Sequence, residues 1–207
     1  MGTGISMAAL NAGLSVIMVE RDEELIKKSF IKIESTYQRN VDLGRISLEE
    51  KNKLLDNFIG VTELEKIADR ELIIEAVFEE MDIKKEIFTK LNKICPSDTI
   101  LASNTSYLDI NEIAKVINNP ERMLGMHFFS PANIMKLLEI IVGEKTSANT
   151  VATAFSLGKK MKKIPVRSGV CDGFIGNRIL SKYLVATYHM VEDGASIYDT
   201  VSYTHLT

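Results

Sequence analysis

The chain has 207 residues, of which 45% are hydrophobic and 26% charged, with a formal net charge of -3. That is enough chain for one full core and part of a second domain. No apolar run approaches the length of a membrane-spanning helix, so membrane insertion is not expected, and the acidic balance argues against a nucleic-acid partner. Cys95 and Cys171 are far apart and lack metal-type or redox-type spacing. No metal site is expected, and the compartment expected is a reducing one, the cytoplasm.

The opening Met1-Gly2-Thr3-Gly4-Ile5-Ser6-Met7-Ala8-Ala9-Leu10 predicts a helix of small residues that can pack closely on a sheet, ended by Gly13. Val16 to Glu20 follows as a buried strand with an acid at its end. This order resembles a dinucleotide-binding βαβ unit, where a glycine-rich turn opens a helix and an acid about twenty positions on binds ribose hydroxyls. On that resemblance Gly2 is the last glycine of the turn and Glu20 is the ribose acid. The first strand and the first two glycines are then expected to be missing. A carboxylate at Glu20 repels a 2′-phosphate, so NAD is the expected cofactor, with NADP kept as a lesser alternative by Arg21. The bland alternative is a Glu20 that simply ends a strand at the surface.

From Glu23 to about Tyr37 the residues Leu25, Ile26, Phe30, Ile31 and Ile33 recur at helical spacing. Ser47-Leu48-Glu49-Glu50 reads as a capping box opening a helix to about Leu55. Phe58 to Val61 and Leu72 to Val77 read as strands, with a short helix from Thr62 to Asp69 between them. Glu79 and Glu80 follow, then a helix from Asp82 to Lys93. Doubly wound sheets bind ligands beyond the carboxyl ends of their strands, which makes Glu79 and Lys84 candidate cofactor and substrate contacts. Position alone favours the blander reading of a helix-start acid and an exposed lysine. Thr99 to Ala102 is the next strand, and Ser103-Asn104-Thr105-Ser106 at its end can line a ligand pocket or cap the helix around Ile110 to Val116.

His127 closes the apolar run Met123 to Met126 and precedes Phe128-Phe129-Ser130-Pro131, so it is expected at the end of a buried strand. Leu137 to Val142 is the following strand. A carboxylate inside it, Glu139, is costly to bury without a partner, and a return through a short turn can set it beside His127. Imidazole oriented by a carboxylate suits removal of a proton from a hydroxyl. Taken singly, His127 reads as readily as a satisfied structural residue.

Beyond these strands, Ser147 to about Met161 is a helix and Ile164 to Arg167 a short strand. Lys159, Lys160, Lys162 and Lys163 read better as a solvated helix end than as an anion site. After the turn Asp172-Gly173, a long apolar helix from Phe174 to about Glu192 carries Asn177, which is either a solvent-facing amide or a site residue. The change of character sets a domain boundary near residues 167–173.

His127-Phe128-Phe129-Ser130-Pro131, Met135-Lys136-Leu137-Leu138-Glu139, Ser103-Asn104-Thr105-Ser106 and Gly173-Phe174-Ile175-Gly176-Asn177-Arg178 together resemble the L-3-hydroxyacyl-CoA dehydrogenases of fatty-acid β-oxidation. The likeness extends to about Ala195. Ser130-Pro131-Ala132-Asn133 and Lys162-Lys163-Ile164 lean toward the dehydrogenase part of multifunctional enzymes. The resemblance implies an α/β fold, with a Rossmann-type doubly wound, mostly parallel sheet over residues 1–170 and the start of an all-helical domain over 171–198.

It also implies NAD-dependent oxidation of an (S)-3-hydroxyacyl-CoA to a 3-oxoacyl-CoA, in fatty-acid β-oxidation or short-chain acyl-CoA metabolism. His127 is then the general base and Glu139 its orienting acid, while Ser106 bonds the substrate oxygen near the nicotinamide and Asn177 helps hold the reacting group. Gly2, Glu20, Glu79, Lys84 and Ser106 fall on cofactor contacts, with Lys84 also reaching the CoA thioester. Acyl-CoA is the implied substrate, and a homodimer or a multifunctional enzyme the implied assembly. A chain without its first strand is expected to be inactive, and residues 199–207 are expected to be a non-native tail in which His205 has no function. Two alternatives stand beside this reading: a non-catalytic NAD-binding or redox-sensing module, and a related dehydrogenase acting on a free hydroxy acid.

Overall fold

The computed structural model describes residues 1–200; Val201 to Thr207, and with them His205 and most of the expected tail, lie outside the described residues. Residues 197–200 form a helical turn. Helix α1 spans Gly2–Asn11 and ends where Gly13 takes a φ of 72°. Strand β1 is Val16–Val19, and α2 runs Glu23–Asp42 with the Asp22 side chain accepting from the Leu25 N–H. This helix is longer than its apolar spacing predicts, stopping only where Gly44 turns at positive φ. The Ser47–Glu50 capping box is formed in both directions and opens α3, Leu48–Asp56.

Strands β2 (Phe58–Val61) and β3 (Leu72–Glu75) are joined through one 3-10 turn at Leu64–Ile67 rather than a longer helix. Then come α4 (Met81–Ile94), β4 (Ile100–Ser103), α5 (Ile110–Ala114), β5 (Met123–Phe128) and β6 (Leu137–Ile141). The chain continues through α6 (Ala148–Lys160), β7 (Ile164–Ser168) and α7 (Gly176–Glu192). The last helix starts two residues later than its apolar pattern suggests, because Phe174 sits at a φ of 48° in the preceding turn and is fully buried.

Among the described residues the strands form a two-stranded sheet, β1-β2, and a five-stranded sheet, β3-β4-β5-β6-β7. All pairings are parallel except β5 with β6. The reason is length: residues 129–136 are too few for a crossover, so the chain returns antiparallel. Ile17 and Val19 of β1 reach the same apolar cluster as Ile73 of β3, which sets the two sheets side by side without a hydrogen-bonded seam.

Strand alternation divides the core into two layers. Leu124, Met126, Phe128, Leu138 and Ile140 pack on one face with Ile5 and Ala8 of α1 and Ala154 of α6. Met123 and Ile141 pack on the other with Phe88 and Leu91 of α4 and Ile110 and Ile113 of α5. Both faces are covered, the arrangement a doubly wound parallel sheet requires.

Candidate functional site

His127 is the fifth residue of β5 and shares the α5 face of that strand, opposite its apolar neighbours Met126 and Phe128. In the antiparallel ladder its direct partner is Glu139. Direct cross-strand partners project to one side, so a period of two on both strands brings the two side chains together. His127 Nδ1 lies 2.7 Å from Glu139 Oε2, with the His 3% and the Glu 0% exposed. The ring is walled by Phe129 and Phe174, whose centroids lie 4.5 and 5.8 Å away.

Glu139 Oε1 accepts from the backbone N–H groups of Ile175 at 3.0 Å and Gly176 at 2.7 Å. The first turn of α7 is therefore aimed at this carboxylate. Burial alone would push the Glu139 pKa up; the hydrogen bonds from His127, Gly176 and Ile175 and the charge of His127 outweigh it and hold the carboxyl below its usual value. An ionised Glu139 makes Nδ1 the protonated nitrogen and leaves Nε2 to accept. Among the described residues nothing bonds Nε2, and the one fully enclosed side-chain nitrogen or oxygen without a partner there is Arg122 Nε, so Nε2 is left unspent and not sealed off.

A second cluster forms at the carboxyl ends of β3 and β4. Glu79 Oε1 accepts from Thr105 Oγ1 at 2.5 Å and from the N–H groups of Ser106 at 2.6 Å and Tyr107 at 3.1 Å. Lys84 Nζ lies 3.3 Å from Glu79 Oε2 and 2.7 Å from Glu75 Oε1, and Glu75 also accepts from Ser103 Oγ at 2.6 Å. Burial opposes the charge on Glu79, while Thr105, the Ser106 and Tyr107 N–H groups and Lys84 together lower its pKa. Asn104 Oδ1 accepts from the Phe128 N–H at 2.8 Å, tying this turn to the residue after His127. Of the Ser103–Ser106 run, the first three side chains are locked inward and Ser106 alone keeps a hydroxyl without a described partner.

Glu79, Lys84 and Ser106 are thus brought together, as are His127, Glu139 and the start of α7 that carries Asn177. Lys84 is fully buried, against the sequence reading of an exposed lysine, and acts on the turn through Glu79. Lys163 is likewise buried rather than part of a solvated helix end. Glu75 is a site-shaping residue the sequence reading misses. Its signal is the same as that of Glu139, a carboxylate interrupting the apolar run Leu72 to Val77.

Beyond the end of β1, Glu20 has no described partner for its carboxylate, and Arg21 sits 5.8 Å over the Phe78 ring. The first turn of α1 has no acidic residue and no side-chain cap, and a Cβ on Gly2 would meet nothing closer than Met18 Cε at 3.9 Å. A cavity of about 140 Å³ opens there between Thr3, Gly4 and the Ser130–Asn133 turn. Uncapped N–H groups, small side chains and adjoining space fit a diphosphate, and Glu20 fits a ribose diol. A larger concavity of about 250 Å³ lies between α5 and Gly143–Thr146, at the opposite end of β5 from His127. It is remote from His127, whereas the smaller cavity adjoins the Ser130–Asn133 turn that follows it.

Fold and site together define a Rossmann-type nucleotide-binding domain carrying a histidine–carboxylate pair. The family model described as 3-hydroxyacyl-CoA dehydrogenase, NAD binding domain, matches residues 1–171, and the chain belongs to that family. It is 40% identical over 200 residues to the peroxisomal bifunctional enzyme of Danio rerio, covering 95% of this chain and 27% of that protein. It is 38% identical to the glyoxysomal fatty acid beta-oxidation multifunctional protein MFP-a of Brassica napus, covering 96% of this chain and 27% of that one. The chain therefore spans about a quarter of the length of these curated relatives.

Among solved structures, 3-hydroxybutyryl-CoA dehydrogenase from Escherichia coli superposes with a TM-score of 0.92 at 34% identity, covering 95% of this chain and 42% of that one. The (S)-3-hydroxybutyryl-CoA dehydrogenase of Ralstonia eutropha does so with a TM-score of 0.93 at 32% identity, covering 96% and 71%. Among the described residues no helix is long and apolar enough to cross a membrane, and no cluster of His, Cys, Asp and Glu has the shape of a metal site.

Proposed function

We propose that the protein carrying this chain oxidises a 3-hydroxyacyl-CoA to a 3-oxoacyl-CoA with NAD in β-oxidation. The observation that carries the reading is the His127–Glu139 pair, whose Nδ1–H is spent on the carboxylate while Nε2 stays open. His127 Nε2 takes the proton of the substrate 3-hydroxyl, and Glu139 stabilises the imidazolium that forms. NAD, when bound, accepts the hydride from C3. Ser106 offers its free hydroxyl to the substrate oxygen, and Asn177, one residue beyond the Gly176 N–H that holds Glu139, steadies the reacting group.

The α1 N-terminus with Gly2 takes the diphosphate and Glu20 the ribose. Glu79 belongs to the cofactor side, and Lys84 bears on cofactor and CoA through it. Residues 1–170 form the cofactor domain in this reading, and residues 171–198 begin a helical one, supported by the exposed apolar face of α7. The relatives' names support a multifunctional enzyme, with a homodimer as the alternative assembly. The cytoplasm expected from cysteine usage stands beside the peroxisome and glyoxysome named for relatives, and fractionation of source cells decides between them.

The test is NADH formation from a 3-hydroxyacyl-CoA by the full protein and by its His127→Gln variant. A fall in kcat of about a hundredfold or more supports the base assignment. NADH binding without turnover in either protein would favour the sensing module instead. Turnover of free 3-hydroxybutyrate would favour the hydroxy-acid dehydrogenase.

A further inference from the structure

Lys163 follows α6 and has no carboxylate partner among the described residues, yet its side chain is almost wholly buried. Its ammonium donates to two backbone carbonyls, those of Ala132 and, at 2.8 Å, Met135. An unpaired buried cation is costly, and neutral carbonyls repay that cost only partly. Burial accordingly draws the Lys163 pKa down.

The turn that it grips is functional in position. Ser130 to Asn133 form one wall of the cavity at the α1 N-terminus, and a Cβ on Gly4 would come within 3.2 Å of Ala132 Cβ and of its backbone nitrogen. The turn is thus held between Lys163 on one side and the first turn of α1 on the other. Its own backbone adds only the Ile134 and Met135 N–H bonds to the Pro131 carbonyl.

We propose that Lys163 is a positioning residue for the cofactor end of the site, pinning the Ala132–Met135 turn so that the cavity beside the α1 N-terminus keeps its width. The proposal rests on the reading that a dinucleotide diphosphate occupies that cavity. Lys163 touches neither cofactor nor reacting atoms; it acts through Ala132.

The experiment is NADH titration by fluorescence on the full protein, beside steady-state kinetics with a 3-hydroxyacyl-CoA. Lys163→Met keeps the stem and removes the donors, and the NADH Kd is expected to rise about tenfold, the scale of a charge-assisted hydrogen bond. The KM for acyl-CoA should stay within about twofold, a split that a general loss of stability would not produce. Gly4→Ala should weaken NADH binding in the wild-type background and do so less in Lys163→Met, because the released turn can give way.

Should Lys163→Met fail to fold, Lys163→Gln keeps a neutral amide donor group in place of the ammonium and is expected to weaken binding by a smaller factor. Wild-type NADH affinity in the folded variants overturns the proposal. Absence of NADH binding by the wild type overturns the cofactor reading, and the proposal with it.

Discussion

At Glu139 both carboxylate oxygens are committed, Oε2 to His127 and Oε1 to the Ile175 and Gly176 N–H groups. Its pKa lies below the unfolded value, so its stabilisation is complete above the usual carboxylate range and is lost as pH falls through the depressed pKa. Glu139→Gln should therefore flatten the acid limb of stability, read as the urea midpoint against pH. Under the proposed mechanism the same variant should lower kcat of the full protein by about a hundredfold, since an amide would no longer stabilise the imidazolium. A different residue-scale effect operates at Lys162, which ends α6 at a φ of 56° where glycine is at ease. Lys162→Gly should raise stability by about 1 kcal/mol, the cost of that conformation for a side chain with a Cβ, measurable by chemical denaturation.

Between elements, the carboxyl ends of β3 and β4 are joined to the start of α4 by Lys84, which sits between Glu75 and Glu79. Lys84→Met would leave the buried Glu75 carboxylate without its ion-pair partner and the more exposed Glu79 unneutralised beside it. The expected loss is about 3–5 kcal/mol, with faster hydrogen exchange at the Ser106 and Tyr107 amides that Glu79 holds. Gly176 opens α7 against the site: a Cβ there would lie 2.8 Å from Phe129 Cζ. Gly176→Ala must displace the ring that packs on His127, so activity should fall further than the melting temperature does.

Over the whole molecule the apolar residues are unevenly used. Leu138 is fully buried between α1, α6 and the sheet, whereas α7 buries none of its side chains, leaving Leu180 and Leu184 exposed. Leu138→Ala should cost about 2–5 kcal/mol, and Leu184→Ser less than about 0.5 kcal/mol, in the unfolding of residues 1–200.

Much of this was legible along the chain, because strand alternation, the Ser47 capping box, the turn glycines and the His127 and Glu139 runs are local signals. A 3.6 or two-residue period also tells which face is buried. The short turn allowed Glu139 to return beside His127, but local pattern could not give the exact register of that return, the inward lock of Ser103 to Thr105, or the burial of Lys84 and Lys163. Long charged side chains read as solvated until carboxylates or carbonyls from other elements are seen to enclose them. The sequence by itself therefore determined the elements, the fold class and the chemical groups. Only the tertiary structure decided which groups meet, since a hydrogen bond depends on distance in space and the partners here come from separate strands and turns.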